Sequence, residues 1–133
     1  MIDDIDLNKA AIIRRCLQRI SEEYRDDPDR LDNFTIQDSI VLNILRACEA
    51  AIDLAMHRVA QGRLGIPQSS RDAFELLAQN AIINQACATA MKHMVGFRNI
   101  AVHNYQNLQT PVLHAILTKH LADFEKFLTE LSL

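Results

Sequence analysis

Residues 98 to 105 read Arg-Asn-Ile-Ala-Val-His-Asn-Tyr, which places a fixed cation, an imidazole and a phenol within one short segment. Arg98 offers a planar fork of donors that can grip a phosphate. Histidine moves protons near physiological pH, and His103 is the one in this segment. Tyr105 adds a hydroxyl open to hydrogen bonding or modification, and Asn99 can orient a phosphate or a ring nitrogen. Together these groups could cleave a phosphodiester without a metal. The same residue types also serve as ordinary polar groups on helices. A tyrosine here could equally pack at a helix junction with its hydroxyl bonded to backbone.

Helix geometry limits how the groups can meet. At about 100° per residue, five steps set Arg98 and His103 roughly 140° apart, whereas Arg98 and Tyr105 fall within about 20° of each other. On one regular helix Arg98 faces with Tyr105, and His103 faces away with Asn99. Convergence then needs a bend or a helix start inside the segment, or the long reach of Arg98. Gly96 is the position at which the backbone could loosen.

Arg98, four residues, His103, one residue and Tyr105 resemble the signature of the HEPN superfamily, in particular its HepT branch. The stretches Phe34 to His57 (FTIQDSIVLNILRACEAAIDLAMH) and Leu64 to Asn80 (LGIPQSSRDAFELLAQN) are similar to HepT as well. The resemblance implies an all-α, HEPN-like antiparallel bundle spanning residues 1–133 as a single domain and paired as a symmetric dimer. Its cleft would carry both Arg–His pairs. It implies a ribonuclease toxin, cutting transfer or messenger RNA, with Arg98 and His103 catalytic. It further implies a partner antitoxin, an MntA-type minimal nucleotidyltransferase, that attaches AMP at Tyr105. In that reading His103 takes the proton of a ribose 2′-hydroxyl and Arg98 steadies the phosphoryl charge. No cofactor or metal is expected. Two further readings stay open: a non-catalytic subunit that presents a nucleotide or substrate to a separate nucleotidyltransferase, and a dimerisation module with a degenerate site.

At 133 residues the chain has room for one core. Three glycines, three prolines and no tryptophan favour long helices over a turn-rich sheet. No apolar run approaches the roughly 18 residues of a membrane span. The acidic start MIDDIDLNKA lacks the layout of a signal peptide, so a cytoplasmic location is expected. Cys16, Cys48 and Cys87 lie far apart with no CxxC pair, which argues for buried thiols rather than zinc ligands. The net charge of −3 sits uneasily with a nucleic-acid enzyme, which needs a local basic surface. Arg14, Arg15 and Arg19 beside Arg98 could supply it, or could form a solvated helix face.

Apolar spacing predicts a first helix from about Ile5 to Tyr24, with Leu7, Ala10, Ile13, Leu17 and Ile20 in its stripe. RDDPDRLDN (25–33) breaks it. Thr35, with Asp38 three positions on, is the expected cap of a long second helix reaching about Gln61. Ser69 or Ser70 caps a short helix to Leu77, another covers about 84–95, and Thr110-Pro111 opens the last. Such an arrangement of about five helices with short connections describes a bundle. Arg46, Glu49, Asp53 and His57 recur along one face of the second helix. Glu49, Asp53 and His57 span about 12 Å, too far to share one ion, so an intrahelical charge ladder is the expected reading. His93, His114 and His120 have no partner legible in the sequence.

Overall fold

The structure is a computed structural model that describes residues 1–105 and 108–133. In chain order the helices are α1 (Asp4–Tyr24), α2 (Phe34–Gly62), α3 (Ser70–Gln79), α4 (Gln85–His103), α5 (Thr110–Ala115) and α6 (Leu121–Glu130). A 3₁₀ turn over Pro28–Asp32 joins α1 to α2, and a π turn over Ile116–His120 carries α5 into α6 without an intervening loop. The expected all-α bundle is therefore what the chain forms. Among the described residues no helix is long and apolar enough to cross a membrane.

Helix starts follow local capping chemistry. Asp3 and Asp6 form a reciprocal capping box on α1, each carboxylate accepting from the other's backbone N–H. The cap of α2 is Asn33, whose side chain accepts from the Ile36 N–H, not Thr35. An Asx side chain two residues earlier satisfies the same orphan donors, and it leaves Asp38 free for another use. Ser69 caps α3 and Asn84 caps α4. The last helix starts at Thr110 with Pro111 in its first turn, as expected, but Thr110 lies inside the helix and Gln109 precedes it without a side-chain bond.

The core is where α1 and α2 lie along each other and the remaining helices close over them. Ile13, Ile20, Ile40, Ile44, Leu54, Phe74, Leu77, Met91, Leu113, Phe124, Phe127 and Leu128 are fully buried. Phe74 and Phe127 meet edge to face at 5.4 Å between centroids. Leu7 departs from the expected stripe and is more than half exposed. Cys16, Cys48 and Cys87 are buried thiols as read from sequence. Burial pushes the Cys48 thiol up to about 12 and the Cys87 thiol up to about 11, so neither is a nucleophile at neutral pH.

Candidate active site

Helix α4 runs without interruption through Gly96 and Arg98 to His103. The expected break at Gly96 does not occur. A methyl group there would lie 2.9 Å from the Arg71 guanidinium, so the glycine makes room for Arg71 to cross α4 rather than for a bend. The helix ends just past His103, where the Asn104 N–H still bonds the Ile100 carbonyl at 2.8 Å. Arg98, Asn99 and His103 thus share one regular helix, and the angular divergence computed from spacing is what the chain adopts.

Arg98 turns inward onto α2 and α3. Its Nη1 donates to Glu49 Oε1 at 2.9 Å and its Nη2 to Ser70 Oγ at 3.2 Å. Its Nε is buried without a hydrogen-bond partner among the described residues. Such an unmet donor costs about 1–3 kcal/mol, so the guanidinium is not fully satisfied by the residues around it. His103 points the other way and is exposed, and half-buried Asn99 lies one turn before it. Tyr105 lies beyond the end of α4, after the non-helical Asn104, so the angular offset computed from Arg98 does not apply to it, and the chain turns it back onto α2. Its hydroxyl donates to Asp38 Oδ1. Partial burial of the phenol, and then the Asp38 carboxylate that accepts from it, pushes Tyr105 up to about 12. The phenol is therefore a protonated donor at neutral pH.

Two residues that spacing did not single out complete this arrangement: Glu49 on Arg98 and Asp38 on Tyr105. Both stood in view, one assigned to a ladder and the other to a cap. Neither contact crosses fewer than 49 residues of chain, which is why periodicity within one helix could not find them. The ladder itself is corrected, because each acid or imidazole reaches another helix. Glu49 holds Arg98, Asp53 holds Lys9 at 3.0 Å, and His57 meets Asp3 at 2.7 Å. His114 and His120 also find partners, in Tyr24 and Asp123.

One cluster of possible metal-ligand atoms is found among the described residues, Asp3, Asp6 and His57. Arg58 already fills the Asp6 carboxylate at 2.7 Å, and Gln61 bonds Asp3. That cluster is a helix-end clasp and lies apart from Arg98 and His103 along α2. A groove of about 800 Å³ is also elsewhere. It lies between α4 and α6, and Asp123, Glu125 and Glu130 outweigh Lys126 in its lining, the wrong sign for a polyanion.

Residues 10–131 match the family described as HepT-like, "Ribonuclease HepT-like". The chain belongs to the HepT-like ribonuclease family. It is 50% identical over 127 residues, 96% of each chain, to a Shewanella oneidensis protein named mRNA nuclease HepT. It superposes at a TM-score of 0.94, with 48% identity over 98% of both chains, on a chain in a crystal structure of a toxin–antitoxin with AMP-PNP. A TM-score of 0.93, with the same identity and coverage, relates it to the tri-AMPylated Shewanella oneidensis HEPN toxin in complex with MNT antitoxin. The HepT-like assignment gives the Arg98–His103–Tyr105 segment its context: a ribonuclease scaffold whose relative carries attached AMP.

Proposed function

We propose that this chain is a metal-independent ribonuclease toxin acting on messenger RNA, held inactive by an MNT-type nucleotidyltransferase antitoxin that attaches AMP to Tyr105. The observation that carries this reading is the presentation of Arg98, His103 and Tyr105 at one end of α4, in a chain half identical to an mRNA nuclease over nearly its whole length. In the reaction His103 removes the proton from a ribose 2′-hydroxyl. The 2′-oxygen then bonds to the adjacent phosphorus as the P–O5′ bond breaks. Arg98 stabilises the charge on the non-bridging oxygens. The products are a 2′,3′-cyclic phosphate and a 5′-hydroxyl, and DNA, lacking the 2′-hydroxyl, is not cut.

Divergence of Arg98 and His103 within one chain favours a cleft shared by two copies, in which a second imidazole protonates the leaving 5′-oxygen. Ile100, Val102 and Val112 are exposed apolar residues at this end of α4 and on α5, suited to such a contact. Asp38 explains how modification silences the site. It is placed to accept the phenol proton when the Tyr105 oxygen bonds to the α-phosphorus of ATP, the α–β phosphoanhydride bond breaks and pyrophosphate leaves. Once AMP is attached, its phosphate is repelled by Asp38 and swings toward the cations that RNA would use. A cytoplasmic location accompanies this reading, since its substrate and nucleotide donor are found there.

The decisive experiment is cleavage of total RNA in EDTA by protein whose intact mass shows no nucleotide, beside His103→Ala. Fragments ending in cyclic phosphate, reduced about 10²–10⁴-fold in the variant, are expected. Absence of cleavage by the unmodified protein would sink the ribonuclease reading.

A further inference from the structure

A groove of about 510 Å³ lies between α1 and α2. Arg15 and Arg19 of α1 and Arg46 of α2 line it together with Asn43, Ser39 and Leu42, and no carboxylate belonging to Asp or Glu lines it. In a chain with a net charge of −3 that is an unusual concentration of one sign. Arg14, grouped with Arg15 and Arg19 in the sequence, is not part of it. Arg14 is spent on the Leu133 carbonyl at 2.7 Å and on Glu125. Arg19 shares Glu22 and Glu23. Arg15 and Arg46 are exposed and meet no carboxylate within ion-pair distance among the described residues.

The fold gains nothing from this grouping. Arg15 and Arg19 are four residues apart on one helix, about 6 Å, where like charges destabilise by a few tenths of a kcal/mol. Arg46 faces them from the neighbouring helix, close enough that both it and Arg15 act electrostatically on the Cys16 thiol between them. Arg15 and Arg46, brought beside Arg19 at a cost and without an acid partner of their own among the described residues, are suited to an external anion.

Along α2 the residues of the groove stand between those that hold the candidate site. Ser39 follows Asp38, which holds Tyr105, and Arg46 stands about 4.5 Å of helix rise before Glu49, which holds Arg98. We propose that the Arg15–Arg19–Arg46 groove is a phosphate track for single-stranded RNA, binding the backbone that flanks the cleaved bond. It rests on the ribonuclease reading above. Guanidinium groups grip phosphate oxygens in fork geometry without regard to base, so the track supplies affinity and register while sequence choice is made elsewhere. It also resolves how an acidic chain binds a polyanion: the required positive surface is local.

The test uses full-length, unmodified His103→Ala protein, which leaves RNA uncut, and a fluorescent 20-nucleotide single-stranded RNA. Anisotropy gives Kd as a function of salt. Adding Arg15→Glu and Arg46→Glu is expected to weaken binding at least tenfold and to flatten the log–log salt slope by about 1.4, roughly 0.7 for each lost phosphate contact. Arg15→Gln with Arg46→Gln, a gentler change at exposed positions, should give the same slope change if folding of the first variant is in question. With His103 restored, the loss of kcat/KM on the long RNA should exceed the loss on a trinucleotide by about tenfold. Unchanged Kd and slope in both variants would overturn the track. So would normal RNA binding accompanied by loss of the nucleotidyltransferase partner, which would make the groove a protein contact. Failure of the wild-type protein to cut any RNA, with RNA affinity still dependent on Arg15 and Arg46, would overturn the ribonuclease reading and leave the track standing.

Discussion

Two arginines reach for α2 or from it, and they are embedded very differently. Arg58 donates through Nε to Asp6, whose side chain is fully buried, and through Nη2 to the Leu131 carbonyl at 3.1 Å. The pair ties the start of α1 and the end of α6 to α2, and Asp6 also accepts from the Asp3 N–H. Arg98 sits on Glu49, which is nearly half exposed, borrows one bond from Ser70, and leaves Nε buried and unmet. One cation donates to two chain segments distant in sequence and ties them together. The other is held loosely by groups that a phosphate can displace. Residue type is identical, and surroundings decide whether the charge serves the fold or a ligand.

The largest effect that would break this contrast concerns Arg58. Arg58→Ala strands the Asp6 carboxylate in the interior and should cost about 3–5 kcal/mol of stability, read from urea or thermal unfolding. RNA cleavage per folded molecule should stay close to wild type. A loss below about 1 kcal/mol would show that Asp6 is reached by solvent and that the clasp is not structural. Arg98→Ala should do the reverse. Activity is expected to fall about 10²–10³-fold, as for removal of one group stabilising transition-state charge. Stability should change by less than about 1 kcal/mol, because a half-exposed ion pair is worth little and an unmet donor is removed with it. Comparable unfolding of both variants would erase the distinction between them.

The same contrast explains what the sequence could reveal. Helix count, the buried cysteines and most of the apolar stripes follow from three- and four-residue spacing, which is a local property. The divergence of Arg98 from His103 was also legible, because both stand on one helix, whereas the placement of Tyr105 was not, because α4 ends before it. Nor was it legible what pairs with these groups. Asp38 looked like a capping residue until Asn33 took that role, and Glu49 looked like one rung of a ladder until Arg98 arrived from α4. Gly96 read as a hinge because glycine loosens helices, yet here the missing side chain is filled by Arg71 from α3. Each error came from reading a long-range contact as a local one. Arg15, Arg19 and Arg46 show the same limit, since their convergence depends on how α1 lies on α2.

Glu49 gives a smaller and sharper test of the loose grip. In Glu49→Gln the carboxylate that competes with phosphate for Arg98 becomes neutral while the amide oxygen can still accept. KM for RNA should fall by up to about fivefold, the equivalent of the 0.2–1 kcal/mol that such partly exposed pairs carry. A rise in KM would mean instead that Glu49 aims Arg98 and that its charge is needed for binding.

The smallest expected change is spectroscopic, and it isolates Asp38 from everything else at the site. Tyr24 and Tyr105 are the two tyrosines of the chain, both held above the ordinary phenol range of about 10, Tyr105 at about 12. For Tyr24 the cause is burial first and then Asp26 and Asp27, so Asp38→Asn leaves it alone. For Tyr105 the variant removes the anion that opposes ionisation but keeps an oxygen that accepts from the phenol. An ultraviolet titration should therefore show one of the two tyrosinate transitions moving toward 10, with burial keeping it from arriving there. The sign of the linked stability follows. A phenol whose pKa is raised on folding stabilises the folded state fully below about 10, and that contribution is lost as pH climbs from 10 through 12. Asp38→Asn should therefore flatten the alkaline loss of stability over that window. An unmoved pair of transitions would place the Tyr105 hydroxyl away from Asp38 in solution, and with it would go the proton acceptor assigned to the modification step.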